Sequence, residues 1–213
     1  MPGVGLAAFF VAPGAVVTAS RGPRGRKVNE EVKTVAPLLG AVMAIFAAPA
    51  RAVDGVAIEA GNSPSSNADV SLVRLGVQWD WKARGLETRG WHVAGYWDLQ
   101  LGYWNNDSAG RTHPGLWEVG FTPVFRVQQT HPGGLAPYLE GGIGIHFLTE
   151  TSVSPRRRFG SSFQFGDHLG IGVRFGPRHA FDLSYRYQHL SNAGIKSPNN
   201  GINFHLLRLG YWF

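Results

Sequence analysis

His189-Leu190-Ser191, followed by Asn192-Ala193-Gly194, sets a general base two residues from a hydroxyl nucleophile. A serine hydroxyl attacks an ester once a neighbouring base takes its proton, and imidazole does this near neutral pH. At positions i and i+2 of a strand both side chains leave one face, with Cα atoms about 6.5–7 Å apart. A bend into the following loop brings them within bridging reach. Backbone amides in the Asn192–Gly194 turn are then candidates to receive the oxyanion of an acyl transfer. The chemistry is ester hydrolysis, provided that the surrounding elements hold the pair where an ester can reach it.

Those elements read as strands. From residue 55 onward no stretch keeps a 3.6-residue period over a helix length, whereas period-two alternation recurs between turn signals. The alternating segments are 55–63, 69–81, 90–105, 116–130, 136–150, 161–176, 179–191 and 202–213. The joins after the second, fourth and sixth are turn-like (KARGLETRG, HPGG, GPR). Those after the third, fifth and seventh are longer or more polar (NNDSAGRTHPG, TSVSPRRRFG, NAGIKSPNNG). An even strand number with short turns on one side and longer loops on the other predicts an all-β fold, an eight-stranded antiparallel transmembrane β-barrel. With both termini periplasmic, the longer loops are extracellular.

The faces separate. Phe181, Leu183, Tyr185 and Tyr187 oppose Asp182, Ser184, Arg186 and Gln188; Leu207, Leu209, Tyr211 and Phe213 oppose Leu206, Arg208, Gly210 and Trp212. A soluble barrel turns its polar face outward, whereas here the apolar, aromatic-tipped face is the one suited to lipid. The competing reading of these stripes is the core of a soluble sandwich. By parity His189 and Ser191 share the face of Tyr185 and Tyr187, so they point at lipid. Because crossing the hydrocarbon takes about 9–11 residues, they lie near the extracellular rim. Even a charge costs only about 0–1 kcal/mol there, so an ordinary polar rim followed by an Asn/Gly/Pro turn accounts for the pair equally well.

Composition narrows the classes. Charged residues make up only 16%, while glycine and aromatics are abundant, which suits a barrel whose outside need not be hydrophilic. The net charge of +6 is concentrated at the front: residues 1–52 hold six Lys/Arg against two Asp/Glu, and residues 53–213 hold fourteen against twelve. No nucleic-acid partner is expected on this distribution. Without cysteine there is no disulfide framework and no thiolate site. Lys33 precedes the apolar run 35–50, which ends in Ala50-Arg51-Ala52. Such a run is shorter than the roughly 20 residues of a spanning helix, so residues 1–52 read as an N-terminal extension and a cleaved secretory signal peptide. Residues 53–213 are the expected barrel, and the true translation start is expected near Val28 or Val32.

His189-Leu190-Ser191-Asn192-Ala193-Gly194, then Pro198-Asn199-Asn200-Gly201-Ile202, resembles the active-site segment of the PagL family of lipid A 3-O-deacylases. LGVQWDW (75–81), GYWD (95–98), PVF (123–125), YLEGGIGI (138–145) and SSFQFGDHLGIGVRF (161–175) follow in the family's order, so the resemblance spans essentially the whole mature chain. It implies an eight-stranded barrel in the outer membrane of a Gram-negative bacterium. The implied reaction cleaves the ester-linked 3-hydroxyacyl chain at the 3 position of lipid A, with no metal and no cofactor. The implied partners are lipid A of lipopolysaccharide and the outer membrane, and dimerisation of the barrel is left open. Ser191 would be the nucleophile, His189 the base, and Asn192 with Gly194 the oxyanion site. One position departs from the pattern: the family's third catalytic residue is a Glu after the Gly-Ile pair, and here it is Asn203. An Asn carbonyl can accept the His Nδ1 proton and hold the ring, but it cannot stabilise the imidazolium as a carboxylate does. His205, two residues along the same face, is a candidate contributor.

Arg156-Arg157-Arg158 falls in an extracellular loop, where guanidinium groups would either grip lipid A phosphates or simply be solvated. Asp98, Glu140 and Asp167 are expected to line the interior and pair with Arg174 and Arg186. The histidines show no metal-site spacing. The alternative to the enzyme is a catalytically impaired or non-enzymatic small outer-membrane barrel with a structural or surface-interaction role.

Overall fold

A computed structural model describes residues 53–63 and 68–213 of the chain; the expected extension and signal peptide lie outside the described residues. Eight long antiparallel strands form a meander: β1 (Gly55–Asn62), β2 (Val70–Asp80), β3 (Trp91–Asn106), β4 (Gly115–Gln129), β5 (Ala136–Leu148), β6 (Phe163–Phe175), β7 (Phe181–Ser191) and β8 (Ile202–Trp212). Each pairs with the next, and β1 pairs with β8 from Gly55↔Trp212 to Asn62↔His205, which closes the barrel and leaves no edge. A short strand, Gly85–Thr88, extends the β2–β3 hairpin by pairing with β3. Loops 107–114, 149–162 and 192–201 gather at one end, and the shorter turns lie at the other.

The interior is packed in two zones, where the sequence promised only a polar lining. Across the middle runs a network of buried charges: Arg186 bridges Glu59 (2.5 Å) and Glu140 (2.7 Å), Arg74 joins Glu59 (2.8 Å) to Glu118 (2.9 Å), and Arg126 joins Glu140 (2.8 Å) to Asp182 (3.0 Å). Charges removed from water persist only when paired in this way. Toward the long-loop end the filling becomes apolar: Leu72, Trp104, Leu116, Leu148, Phe159, Leu190, Ile202, Phe204 and Leu206 form one cluster. That cluster lies directly behind the ends of β7 and β8, so it stiffens the strands that carry His189, Ser191 and Asn203.

Two of the interior expectations hold and two are corrected. Glu140 and Asp98 both reach Arg186, the latter at 3.4 Å. Arg174 instead donates through Nε to the His179 carbonyl at 2.9 Å. Asp167 faces outward and is exposed, because it alternates with the buried Gly166 and His168 and shares its face with Phe165 and Leu169. Period-two alternation was expected to place it inside, whereas the phase of this strand sends it out.

The outer surface carries Trp97, Leu99, Leu101, Phe121, Phe125, Ile143, Leu169, Ile171, Leu183, Leu207 and Leu209, all exposed. Aromatic rings mark both borders of this belt. Phe175, Phe181, Tyr211 and Phe213 follow one another at the turn end, and Phe147, Phe163 and Phe165 do so at the loop end. An apolar band between aromatic girdles is the pattern of a membrane barrel.

Candidate active site

The site is built on the β7–β8 hairpin. Its register sets His189 directly opposite Asn203, and both sit half-buried on the outward face. His189 Nδ1 lies 2.6 Å from Asn203 Oδ1. An amide oxygen only accepts, so the ring proton is on Nδ1 and the Nε2 lone pair is left as a base. Ser191 follows on the same face. Asn203 therefore holds both the tautomer and the orientation of the ring, the part of a triad's third member that needs no charge.

Gly201 seats the other edge of the imidazole. Its backbone has φ +58°, and a Cβ built there would lie 2.8 Å from His189 Cε1, 3.3 Å from Nε2 and 3.2 Å from the Leu190 carbonyl. Only glycine permits the ring to rest against the chain at that point. In the sequence, the place of Gly201 between Asn200 and Ile202 shows a turn, not what the turn touches.

The adjoining loop is braced from within and from a neighbour. The amide of Asn192 donates to Asn199 Oδ1 (3.0 Å), the Asn192 side chain donates to the Lys196 carbonyl (2.7 Å), and its Oδ1 accepts the Gly194 amide (3.0 Å). Both residues expected at the oxyanion position, Asn192 and Gly194, thus belong to this hydrogen-bonded turn. The Asn192 and Gly194 amides are already engaged by side-chain oxygens, and the buried Asn192 acts as the brace of the turn. Among the described residues the Ala193 amide, between them, carries no such bond.

Loop 149–162 clamps the same turn. Phe159 bridges to Asn199, Arg158 donates its amide to Asn200 Oδ1 (3.0 Å), and the Asn200 amide donates to the Arg158 carbonyl (3.3 Å). The Arg157 guanidinium donates to the carbonyl of Gly201, and burial draws its pKa below the usual arginine value. Of the three arginines expected to meet phosphate, Arg157 is thus committed to shaping the floor under His189, while Arg156 and Arg158 stay exposed. His205 is engaged elsewhere: the Tyr185 hydroxyl meets its Nδ1, and the Tyr187 ring packs against it.

The profile of the PagL family, lipid A 3-O-deacylase, matches residues 71–212, which runs from the second residue of β2 to the end of β8 and takes in every residue of the site above. The chain belongs to the PagL family. It is 33% identical over 178 residues to the lipid A deacylase PagL of Pseudomonas aeruginosa, covering 83% of this chain and 96% of that protein. It is 40% identical over 117 residues to the lipid A deacylase PagL of Bordetella bronchiseptica, covering 54% of this chain and 61% of that one. Among solved structures, the crystal structure of the outer membrane enzyme PagL superposes with a TM-score of 0.65 at 30% identity, covering 75% of this chain and 99% of the other. Within this family's frame, Asn203 stands where the resemblance in the sequence calls for a Glu.

Proposed function

We propose that the protein is a lipid A 3-O-deacylase of the outer membrane that works by a Ser/His mechanism on the lipid-facing side of the barrel. The observation that carries this reading is the His189–Asn203 pair on the outward face, bonded at 2.6 Å, with Ser191 two residues along the same face. A soluble substrate has no reason to approach a side chain in an apolar belt; an ester already lying in the outer leaflet meets it there.

In the proposed reaction Ser191 Oγ attacks the acyl carbonyl carbon while His189 Nε2 takes its proton. The carbonyl π electrons move to oxygen, and the turn at Asn192–Gly194 receives the oxyanion, most directly through the Ala193 amide. Collapse breaks the bond to the sugar 3-oxygen, which leaves with the proton from His189. Water then hydrolyses the acyl-serine with His189 again as base, releasing the 3-hydroxy fatty acid. No cofactor or metal takes part in these steps. The exposed Arg156 and Arg158 lie on the loop side, where lipid A phosphates would sit.

Mass spectrometry of lipid A from a Gram-negative host carrying the protein tests the reading. Loss of one 3-hydroxyacyl chain is expected; an unchanged profile with the barrel properly assembled would overturn it in favour of a structural barrel. Asn203→Ala removes the acceptor that fixes the ring and is expected to lower kcat about 10²-fold with KM little changed. Asn203→Glu keeps an acceptor and adds charge, so kcat should hold or rise. A collapse of activity with glutamate, measured on the purified enzyme, would sink the orienting role given to residue 203.

A further inference from the structure

Asp167 stands out on the barrel exterior. Along the outward positions of the eight strands it is the lone Asp, Glu, Lys or Arg, and it is exposed amid Phe165 and Leu169 of its own strand and Ile143 of β5. Ionisable residues at membrane-facing positions are disfavoured and tend to mark function, with a partner to be named. The β6–β7 register names it: Asp167 is the direct cross-strand partner of His189. Side chains in such a pair leave the sheet with Cβ atoms about 4.5–5.5 Å apart. The imidazole is therefore flanked on one side by the Asn203 amide, in contact, and on the other by a carboxylate.

We propose that Asp167 is the charge partner of His189, a positioning residue that supports the imidazolium formed as Ser191 gives up its proton. It supplies across the β6–β7 pair the negative charge that Asn203 lacks across the β7–β8 pair. The proposal rests on the Ser191/His189 reading above. Two functions that one carboxylate can combine are divided between two strands here: Asn203 fixes the tautomer through Nδ1, and Asp167 supplies the field. An opposite charge within about 4–6 Å favours the charged form of an ionisable group, and the low dielectric beside lipid strengthens that attraction. Other polar groups on this part of the face do not offer a negative charge, since Tyr185 and His205 are bonded to each other. Opposite His189 near the rim, a carboxylate costs only about 0–1 kcal/mol, so its removal should leave the barrel about as stable.

The test uses the full-length protein, purified from outer membranes, with lipid A in mixed micelles. Asp167→Asn and Asp167→Leu are both expected to assemble and to resist heat about as well as the parent. Each should lower kcat about tenfold with KM nearly unchanged, Asp167→Glu should recover most of the loss, and Asn203→Glu should restore turnover in the Asp167→Asn background. Parental kcat in Asp167→Asn or Asp167→Leu would overturn the proposal, as would a loss confined to KM or one that neither glutamate repairs. Ser191→Ala assayed beside them separates the two readings: activity surviving in that variant would remove the Ser/His mechanism itself, whereas an inactive Ser191→Ala with a fully active Asp167→Asn would remove only the part assigned to Asp167.

Discussion

Ser191→Ala is expected to abolish release of the 3-hydroxyacyl chain while leaving the barrel assembled in the outer membrane. The expectation follows from what the substitution deletes. The alanine lacks the oxygen proposed to attack the ester, and His189 Nε2, placed as its base, is left with no hydroxyl to deprotonate. In hydrolases of this type removal of the nucleophile costs about 10⁶ in kcat, and what survives comes from binding and the oxyanion donors alone. A loss of that size takes the product below detection in lipid A isolated from growing cells. Structurally the change is small. Ser191 is the last residue of β7, half-buried, with its backbone paired to Phe165, and alanine occupies the same backbone. Lipid A mass spectrometry, together with the heat-dependent electrophoretic mobility of the folded barrel, reads both halves of the expectation. A folded Ser191→Ala protein that still deacylates would place the nucleophile elsewhere.

The barrel was legible because a membrane enforces a period of two on every strand: each predicted segment overlaps one observed strand, with ends that differ by no more than a few residues. The direction of His189 and Ser191 was legible for the same reason. Register was not. Whether Asn203 meets His189 depends on how loop 192–201 takes up its residues, and that is decided by the Asn192 brace and by the clamp from loop 149–162, neither of which alternation encodes. The Asn192 and Gly194 amides looked free in the sequence because their acceptors are side chains of the same turn. Asp167 shows a different failure. Leu169, Ile171 and Val173 fix the parity of β6 and place Asp167 outside, so the period-two expectation that put it inside had the wrong phase. A residue that breaks the pattern of its face is more informative than one that obeys it, and here the exception lies directly across from His189.

Gly201→Ala is expected to lower kcat about 10²-fold without preventing assembly, although Gly201 has no reactive group. The new Cβ would stand 2.8 Å from His189 Cε1 and 3.2 Å from the Leu190 carbonyl oxygen. Leu190 is fully buried in the apolar cluster and paired in the sheet, so the backbone oxygen cannot withdraw and the imidazole is the group that must move. Any rotation that clears the methyl carries Nδ1 off Asn203 or swings Nε2 away from Ser191, and misplacement on the order of 1 Å is enough for a loss of that size. Positive φ adds backbone strain of about 1 kcal/mol or more, which a closed barrel absorbs at a loop. That strain must be separated from the ring clash. Gly90 provides the control: it also has positive φ, +78°, but an added Cβ there meets nothing within 4 Å, at the end of the barrel remote from His189. Gly90→Ala should therefore lose stability to a similar degree and keep its kcat. If both alanines slowed turnover alike, strain and not the seating of His189 would be the cause; if Gly201→Ala alone slowed it, with KM unmoved, the bare backbone at residue 201 is part of what holds the base in line.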